Sequence, residues 1–212
     1  MGFETLKPAE IEKRSFAIIT QELGARTFPE GQAEIIKRVI HTSADFEYAD
    51  TLTFSTDVVH KAHEALRAGA TIVTDTQMAL AGINKTMLAS LGGQALCFMS
   101  DAEVAREAKE RGVTRAAVSM EHAAKLNGPL IFAIGNAPTA LMRLHELIAE
   151  GMCAPALLIG VPVGFVNVVE SKELFVGGDI PYIIARGRKG GSNVAAAIVN
   201  ALLYQIMQRE GF

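Results

Sequence analysis

The chain has 212 residues, of which 50% are hydrophobic and 20% charged. This composition is sufficient for a buried core and argues against disorder. Its formal net charge is −3, so no overall basic field predicts binding to nucleic acid or to an anionic membrane. Two cysteines are too few for a disulfide framework, and no apolar run reaches bilayer-spanning length. We therefore expect a cytoplasmic globular protein with a single domain over residues 1–212.

Helical and extended patterns alternate along the chain. Predicted helices begin near Pro8, after Pro29 and around Ser55 or Thr56, and four more cover residues 100–112, 114–126, 137–150 and 192–209. The first of these four opens on a capping box, Ser100 to Glu103. Predicted strands cover residues 71–74, 94–99, 130–134, 156–160 and 182–185. Because these strands are mostly continuously apolar, the fold class is α/β, with a mainly parallel sheet covered by helices on both faces.

Three predicted strands lead into loops of unusual composition. These loops are GNAPT at residues 135–139, VPVGF at 161–165 and RGRKGGS at 186–192. In an open parallel sheet, ligands bind beyond the carboxyl ends of the strands, where such loops lead into helices. Glycines let a ligand approach the backbone, and the cations of the last loop favour an anion. The loops suggest a pocket for a large carboxylated or phosphorylated ligand; simple turn formation by Gly and Pro is the alternative.

Sequence motifs for common chemistries are missing. Neither GxGxxG, GxxxxGK[ST] nor GxSxG occurs in the chain. His60 and His63 lie three residues apart on a predicted helix and could share a metal, but a polar helix face is the preferred interpretation. We predict no cofactor and no metal site.

His41 is the candidate for proton transfer. It ends the second predicted helix, just after Lys37 and Arg38. A helix C-terminus raises the pKa of a histidine, whereas nearby cations lower it, so the sequence leaves the direction open. His41 is therefore either a helix-capping residue or a group that exchanges a proton near neutral pH.

Six segments, read together, resemble the precorrin-8X methylmutase family and its cobalt-precorrin-8 counterpart. In chain order they are IEKRSF (11–16), RVIH (38–41), AIGNAPTAL (133–141), GVPVGFV (160–166), ESK (170–172) and RGRKGGS (186–192). The resemblance covers nearly the whole chain, and the combination of GNAPTAL, GVPVGFV and RGRKGGS is highly specific.

This resemblance implies an isomerase of cobalamin biosynthesis with an α/β fold. Members of the family move a methyl group from ring carbon 11 to ring carbon 12 of precorrin-8X or cobalt-precorrin-8, giving hydrogenobyrinic acid or cobyrinic acid. They act as homodimers with each active site near the dimer interface. His41 matches the catalytic histidine, Ser15 and Arg38 match substrate-binding positions, and Arg115 matches a pocket arginine more loosely.

A corrinoid substrate would need cations and polar groups around its acetate and propionate arms. The candidates for this rim are Arg14, Arg38, Arg115, Asn136, Arg186, Arg188, Lys189 and Ser192. A methyl shift within one molecule needs no methyl donor or redox cofactor, and a histidine could protonate the macrocycle and recover the proton. Two alternatives stay open: a non-catalytic corrinoid carrier, and an α/β enzyme for another anionic metabolite that uses the 186–192 loop.

Overall fold

A six-stranded sheet organises residues 7–207, the part of the chain that the computed structural model describes. Its strands are β1 (Leu52–Phe54), β2 (Thr71–Thr74), β3 (Gln94–Leu96), β4 (Leu130–Ile134), β5 (Leu157–Gly160) and β6 (Tyr182–Ala185). The order across the sheet is β1-β6-β5-β4-β2-β3, with β1 antiparallel to β6 and the other described neighbours parallel. The carboxyl ends of five strands therefore share one edge, which we call the carboxyl edge.

Helices connect these strands and cover them. They are α1 (Pro8–Leu23), α2 (Gln32–Ser43), α3 (Tyr48–Thr51), α4 (Val58–Arg67), α5 (Gln77–Gly82), α6 (Lys85–Ser90), α7 (Ala102–Arg111), α8 (Arg115–Ala123), α9 (Pro138–Ala149), α10 (Val168–Glu173) and α11 (Ser192–Ile206).

Alternate residues of the buried strands face two separate cores. Ile131 and Ala133 of β4 pack with residues of α2, α4 and α11 on one face, whereas Phe132 and Ile134 pack with α8 and α9 on the other. All five β4 residues are buried, as the continuously apolar sequence predicts. The α/β fold class with a mainly parallel, doubly covered sheet is thus confirmed.

Several element boundaries differ from the sequence predictions. The third predicted helix begins slightly later than expected: the N-cap of α4 is Asp57 and not Ser55 or Thr56, and the Ser55 hydroxyl instead accepts a hydrogen bond from the Tyr182 N–H. The predicted capping box is wrong, because the N-cap of α7 is Asp101 and no side chain caps that terminus.

The predicted extended run at 94–99 and the last helix also need correction. β3 ends at Leu96, and residues 98–100 form a 3₁₀ turn. The described part of α11 ends at Ile206, and the predicted helix end at 209 lies outside the described residues. Within residues 7–207, no helix combines the length and apolar character needed to cross a bilayer.

Candidate active site at the carboxyl edge

The three glycine-containing loops pack against one another at the carboxyl edge, backbone to backbone. A Cβ on Gly190 would lie 2.1 Å from the Val161 carbonyl oxygen, and one on Gly135 would lie 2.7 Å from the Ser192 Cα. The Gly191 N–H donates to the Val161 carbonyl at 2.9 Å. Glycine is therefore required at positions 135 and 190 because the chains approach too closely for a side chain.

Asp75, just after β2, holds the loop after β4. Its carboxylate is buried and accepts hydrogen bonds from the N–H groups of Gly135 (2.8 Å), Asn136 (2.8 Å) and Ala137 (2.6 Å). Burial raises the pKa of Asp75, and the backbone hydrogen bonds oppose that rise. Sequence reasoning missed Asp75, which stands alone between a strand and a short helix; the one signal was a charged residue directly after an apolar strand.

Most cations of the 186–192 loop have partners within the protein. Arg186 forms a two-pronged ion pair with Glu173, through Nε at 2.9 Å and an Nη at 2.7 Å. Lys189 bonds Asp45 at 2.6 Å and Glu47 at 2.7 Å. Arg188, in contrast, forms no ion pair within residues 7–207; its guanidinium lies 5.6 Å from the centre of the Phe165 ring. Of the two arginines in this loop, Arg186 is therefore held in an ion pair, whereas Arg188 has no ion-pair partner among the described residues.

A buried lysine lies beneath the same loop. The Lys172 Nζ donates to the carbonyl oxygens of Gly187 and Lys189, each at 2.8 Å. Burial lowers the pKa of Lys172 to about 8, because charge is less stable away from water. The sequence placed Lys172 within a family motif but gave no role for it.

His41 lies in the last turn of α2 against α1. Its imidazole stacks on Phe16, with ring centres 5.3 Å apart and planes at 25°. Arg38, one turn earlier, pairs with Glu12, and its guanidinium lies 4.7 Å from the centre of the Phe16 ring and 5.1 Å from that of Tyr204. His41 remains exposed at the surface.

The surroundings of His41 determine the direction of its pKa shift, which the sequence left open. Partial burial of the imidazole and the positive charge of Arg38 lower the pKa of His41, and the Glu12 carboxylate opposes them. Because the ordinary pKa of histidine is about 6.5, the neutral imidazole predominates at pH 7. The ring can thus accept a proton, and its imidazolium is a stronger acid than that of an ordinary histidine.

The other predicted site residues fall into two groups, one on α1 near His41 and one at the carboxyl edge of the sheet. Ser15 is adjacent to Phe16 on α1 and donates its hydroxyl to the Ile11 carbonyl at 2.9 Å, while Arg14 is exposed on the same helix. Arg115 begins α8 at the carboxyl edge, is exposed, and directs an Nη to the Met99 carbonyl at 3.4 Å. Asn136 is exposed in the loop after β4, and the Ser192 hydroxyl lies 2.7 Å from that of Thr76.

Lys189 connects the 186–192 loop to the segment that follows His41. Its partners Asp45 and Glu47 lie in the segment that follows α2, a short distance along the chain from His41. The hydrogen bond from Lys189 lowers the pKa of Asp45, which keeps this bond charged. The C-terminal end of α2, with His41, therefore lies beside the loop that carries Arg188.

A cavity of about 720 Å³ lies near the other ends of the strands, away from the carboxyl edge, and none of the predicted site residues lines it. Among its lining residues, His63 bonds the Gln205 side chain at 3.0 Å and His60 pairs with Glu64 at 3.3 Å. In the described part of the chain, no three His, Cys, Asp or Glu side chains converge as a metal site.

The fold and the candidate site together define an α/β protein that brings a histidine at the end of α2 close to a glycine- and arginine-containing loop at the carboxyl edge of its sheet. A family model described as precorrin-8X methylmutase matches residues 10–205. The chain therefore belongs to the precorrin-8X methylmutase family, and it is an isomerase of cobalamin biosynthesis.

Individual relatives agree with this assignment over nearly full length. A cobalt-precorrin-8 methylmutase from Salmonella typhimurium is 46% identical and aligns with 95% of this chain and 97% of its own length. A precorrin-8X methylmutase from Pseudomonas aeruginosa is 40% identical over 91% of this chain and 93% of its own. The crystal structure of the precorrin-8X methyl mutase from Thermus thermophilus superposes with a TM-score of 0.85 at 36% identity, covering 93% of this chain and 98% of that one.

Proposed function

We propose that the chain moves the methyl group from ring carbon 11 to ring carbon 12 of precorrin-8X or cobalt-precorrin-8, giving hydrogenobyrinic acid or cobyrinic acid, with His41 as proton donor and acceptor. The observation that carries the proposal is the exposed His41 imidazole with a lowered pKa, stacked on Phe16 beside the Arg38–Glu12 pair. Family membership supports a catalytic role and disfavours a pure carrier.

His41 would assist the shift by transient proton exchange. A proton or hydrogen bond on the macrocycle withdraws electrons from the migrating system and lowers the barrier. Because its pKa is lowered, the imidazolium donates readily, and the neutral ring that remains can recover the proton. General acid–base catalysis of this kind contributes roughly 10²–10⁴ in rate.

Ser15 and Arg38 would orient the macrocycle next to His41. Arg38 is 8% exposed, held between two aromatic rings and Glu12, so its guanidinium is fixed in direction. The carboxylate arms would meet the rim of the carboxyl edge, formed by Arg14, Arg115, Asn136, Arg186, Arg188 and Ser192. Of the two loop arginines, Arg188 would make the stronger contact, because Arg186 is already paired with Glu173. Phe165 and Val166, 82% and 78% exposed, offer an apolar surface to the ring face.

A homodimer in the cytoplasm completes the proposal. Ile11 and Ile18 are 53% and 39% exposed and lie two helical turns apart on α1, with Ser15 between them. An apolar helix face that carries a substrate-binding position supports an interface close to the site.

Turnover by the purified chain tests the proposal. We expect conversion of precorrin-8X, cobalt-precorrin-8 or both, followed by absorbance, and a loss of about 10²–10⁴ in kcat for His41→Ala. His60→Ala, an exposed histidine on α4, is the matched control and should keep full activity. Near-normal turnover by His41→Ala would remove His41 from the chemistry, and binding without conversion by the natural chain would favour the carrier.

A further inference from the structure

Lys172 is a fully buried cation that the proposed proton transfer does not use. Its side chain is 0% exposed, and its Nζ donates to the carbonyl oxygens of Gly187 and Lys189 at 2.8 Å each. These two acceptors lie on either side of Arg188 in the chain. One ammonium group therefore fixes the backbone before and after a single arginine.

The backbone of Arg188 itself is also held from inside. Its carbonyl accepts a hydrogen bond from the Gly164 N–H at 3.2 Å, and neighbouring Gly190 packs directly on the Val161 carbonyl. The carbonyls of residues 187, 188 and 189 are thus all engaged by α10 or by the loop after β5. The Arg188 side chain, in contrast, is exposed and lies over the exposed Phe165 ring.

The neighbouring cations of the loop have other partners. Arg186 is bound to Glu173, and Lys189 is bound to Asp45 and Glu47. Within residues 7–207, Arg188 has no carboxylate partner, so a ligand carboxylate would meet no internal competitor there.

We propose that Lys172 is a positioning residue: by bonding the carbonyls of Gly187 and Lys189, it presents Arg188, beside Phe165, to a carboxylate arm of the substrate. This inference rests on the proposed function, because it takes a corrinoid as the ligand. Hydrogen bonds from a charged donor are about twice as strong as those between neutral groups, so an uncharged side chain at 172 would hold the loop less firmly. The loss would weaken ligand binding and leave proton transfer at His41, on another element, intact.

Limited trypsin digestion tests the loop without any corrinoid. Trypsin cleaves after Arg186, Arg188 and Lys189, so the rate of cleavage at these positions reports how often the loop opens. We expect Lys172→Met to be cut there at least about tenfold faster than the natural chain, because the variant loses both hydrogen bonds and one charge-assisted bond alone accounts for about a tenfold change. Lys61→Met, at an exposed lysine on α4, is the matched control. Equal cleavage rates for Lys172→Met and the natural chain would overturn the inference.

Steady-state kinetics test the link to the substrate. At a temperature where thermal melting shows every variant folded, Lys172→Met should raise KM about tenfold and leave kcat within about twofold. Lys172→Arg should restore most of the affinity, because a guanidinium also donates to both carbonyls. If Lys172→Met does not fold, Lys172→Gln replaces it in both experiments.

Failure of the positioning role of Lys172 and failure of the proposed function give different results. A fall in kcat at unchanged KM would contradict a positioning role through Arg188. If the natural chain neither binds nor converts corrinoids, the proposed function fails and the substrate part of this inference fails with it. Faster trypsin cleavage of Lys172→Met would in that case still support the hold of Lys172 on the loop.

Discussion

At the scale of single residues, His41 lies between charges of opposite sign. Arg38 lowers its pKa and Glu12 raises it. We expect Arg38→Gln to raise the pKa of His41 and Glu12→Gln to lower it, measured by NMR titration of the imidazole proton. His63 is the internal reference, since burial and Gln205 set its pKa from another region of the fold. Shifts of His41 in the same direction in both variants would contradict the assigned electrostatics.

The two arginines of the 186–192 loop should differ in effect. Arg186 is held by Glu173 in an exposed ion pair, and solvent screens such pairs so that they add little to stability. Arg188 has no such partner among the described residues. We expect Arg188→Met to weaken corrinoid binding about tenfold and Arg186→Met to change it less than threefold, measured by absorbance titration with hydrogenobyrinic acid or cobyrinic acid. The reverse order would assign the ligand contact to Arg186.

At the scale of elements, the glycine at position 190 determines how closely two loops approach. A Cβ there would lie 2.1 Å from the Val161 oxygen and 2.7 Å from the Pro162 oxygen, both backbone atoms that cannot rotate away. We expect Gly190→Ala to destabilise the fold by about 2 kcal/mol, within the range for overpacked sites, and to impair binding. Denaturant unfolding measures the first effect.

Gly178→Ala is the matched control for this substitution. Its Cβ would lie 3.3 Å from the Phe175 carbonyl oxygen and 3.9 Å from its carbon, much farther than the 2.1 Å at Gly190, and like Gly190 it has no left-handed φ. A change of less than about 0.5 kcal/mol is expected, as for an ordinary surface substitution. Equal losses for the two variants would mean that glycine flexibility, and not the close contact, accounts for the effect.

The elements that sequence predicted are those with a strong period or an unbroken apolar run. β2, β4 and β6 lie where their hydrophobic residues indicated. The short elements β1, α3, α5 and α6 were not predicted, because three to six residues carry too little periodicity and tertiary contacts determine their conformation. Ser55 shows the difficulty: as an isolated signal it is a good N-cap, but in the fold its hydroxyl serves strand pairing at Tyr182.

Prediction of the site followed the same division. The three loops and the place of His41 at the end of α2 were predicted from the sequence, since glycines, cations and a helix-end histidine are visible there; the proton-transfer role of His41 is a proposal. The partners Asp75, Glu12 and Glu173 could not be found, because they lie far along the chain from the groups they hold. The direction of the His41 pKa shift likewise depends on burial and on a carboxylate from α1.

At the scale of the whole molecule, we expect a homodimer of twice the 22.6 kDa chain mass in analytical ultracentrifugation. Ile18→Glu places a charge on the exposed apolar face of α1 and should shift the equilibrium to monomer and reduce activity, because the proposed interface lies near Ser15. Met152→Glu, at a 57% exposed position after α9, is the control. An unchanged dimer in Ile18→Glu would exclude α1 from the interface.

The carboxylate of Asp75 has a consequence for ionic ligands in general. In many α/β proteins, backbone amides before a helix at this edge bind an external phosphate. Here the amides of residues 135–137 already donate to a carboxyl group that belongs to the protein itself. Millimolar inorganic phosphate should therefore leave the melting temperature unchanged, whereas a multicarboxylate corrinoid should raise it. Because Asp75 occupies these amides, substrate recognition at this position would depend on side chains.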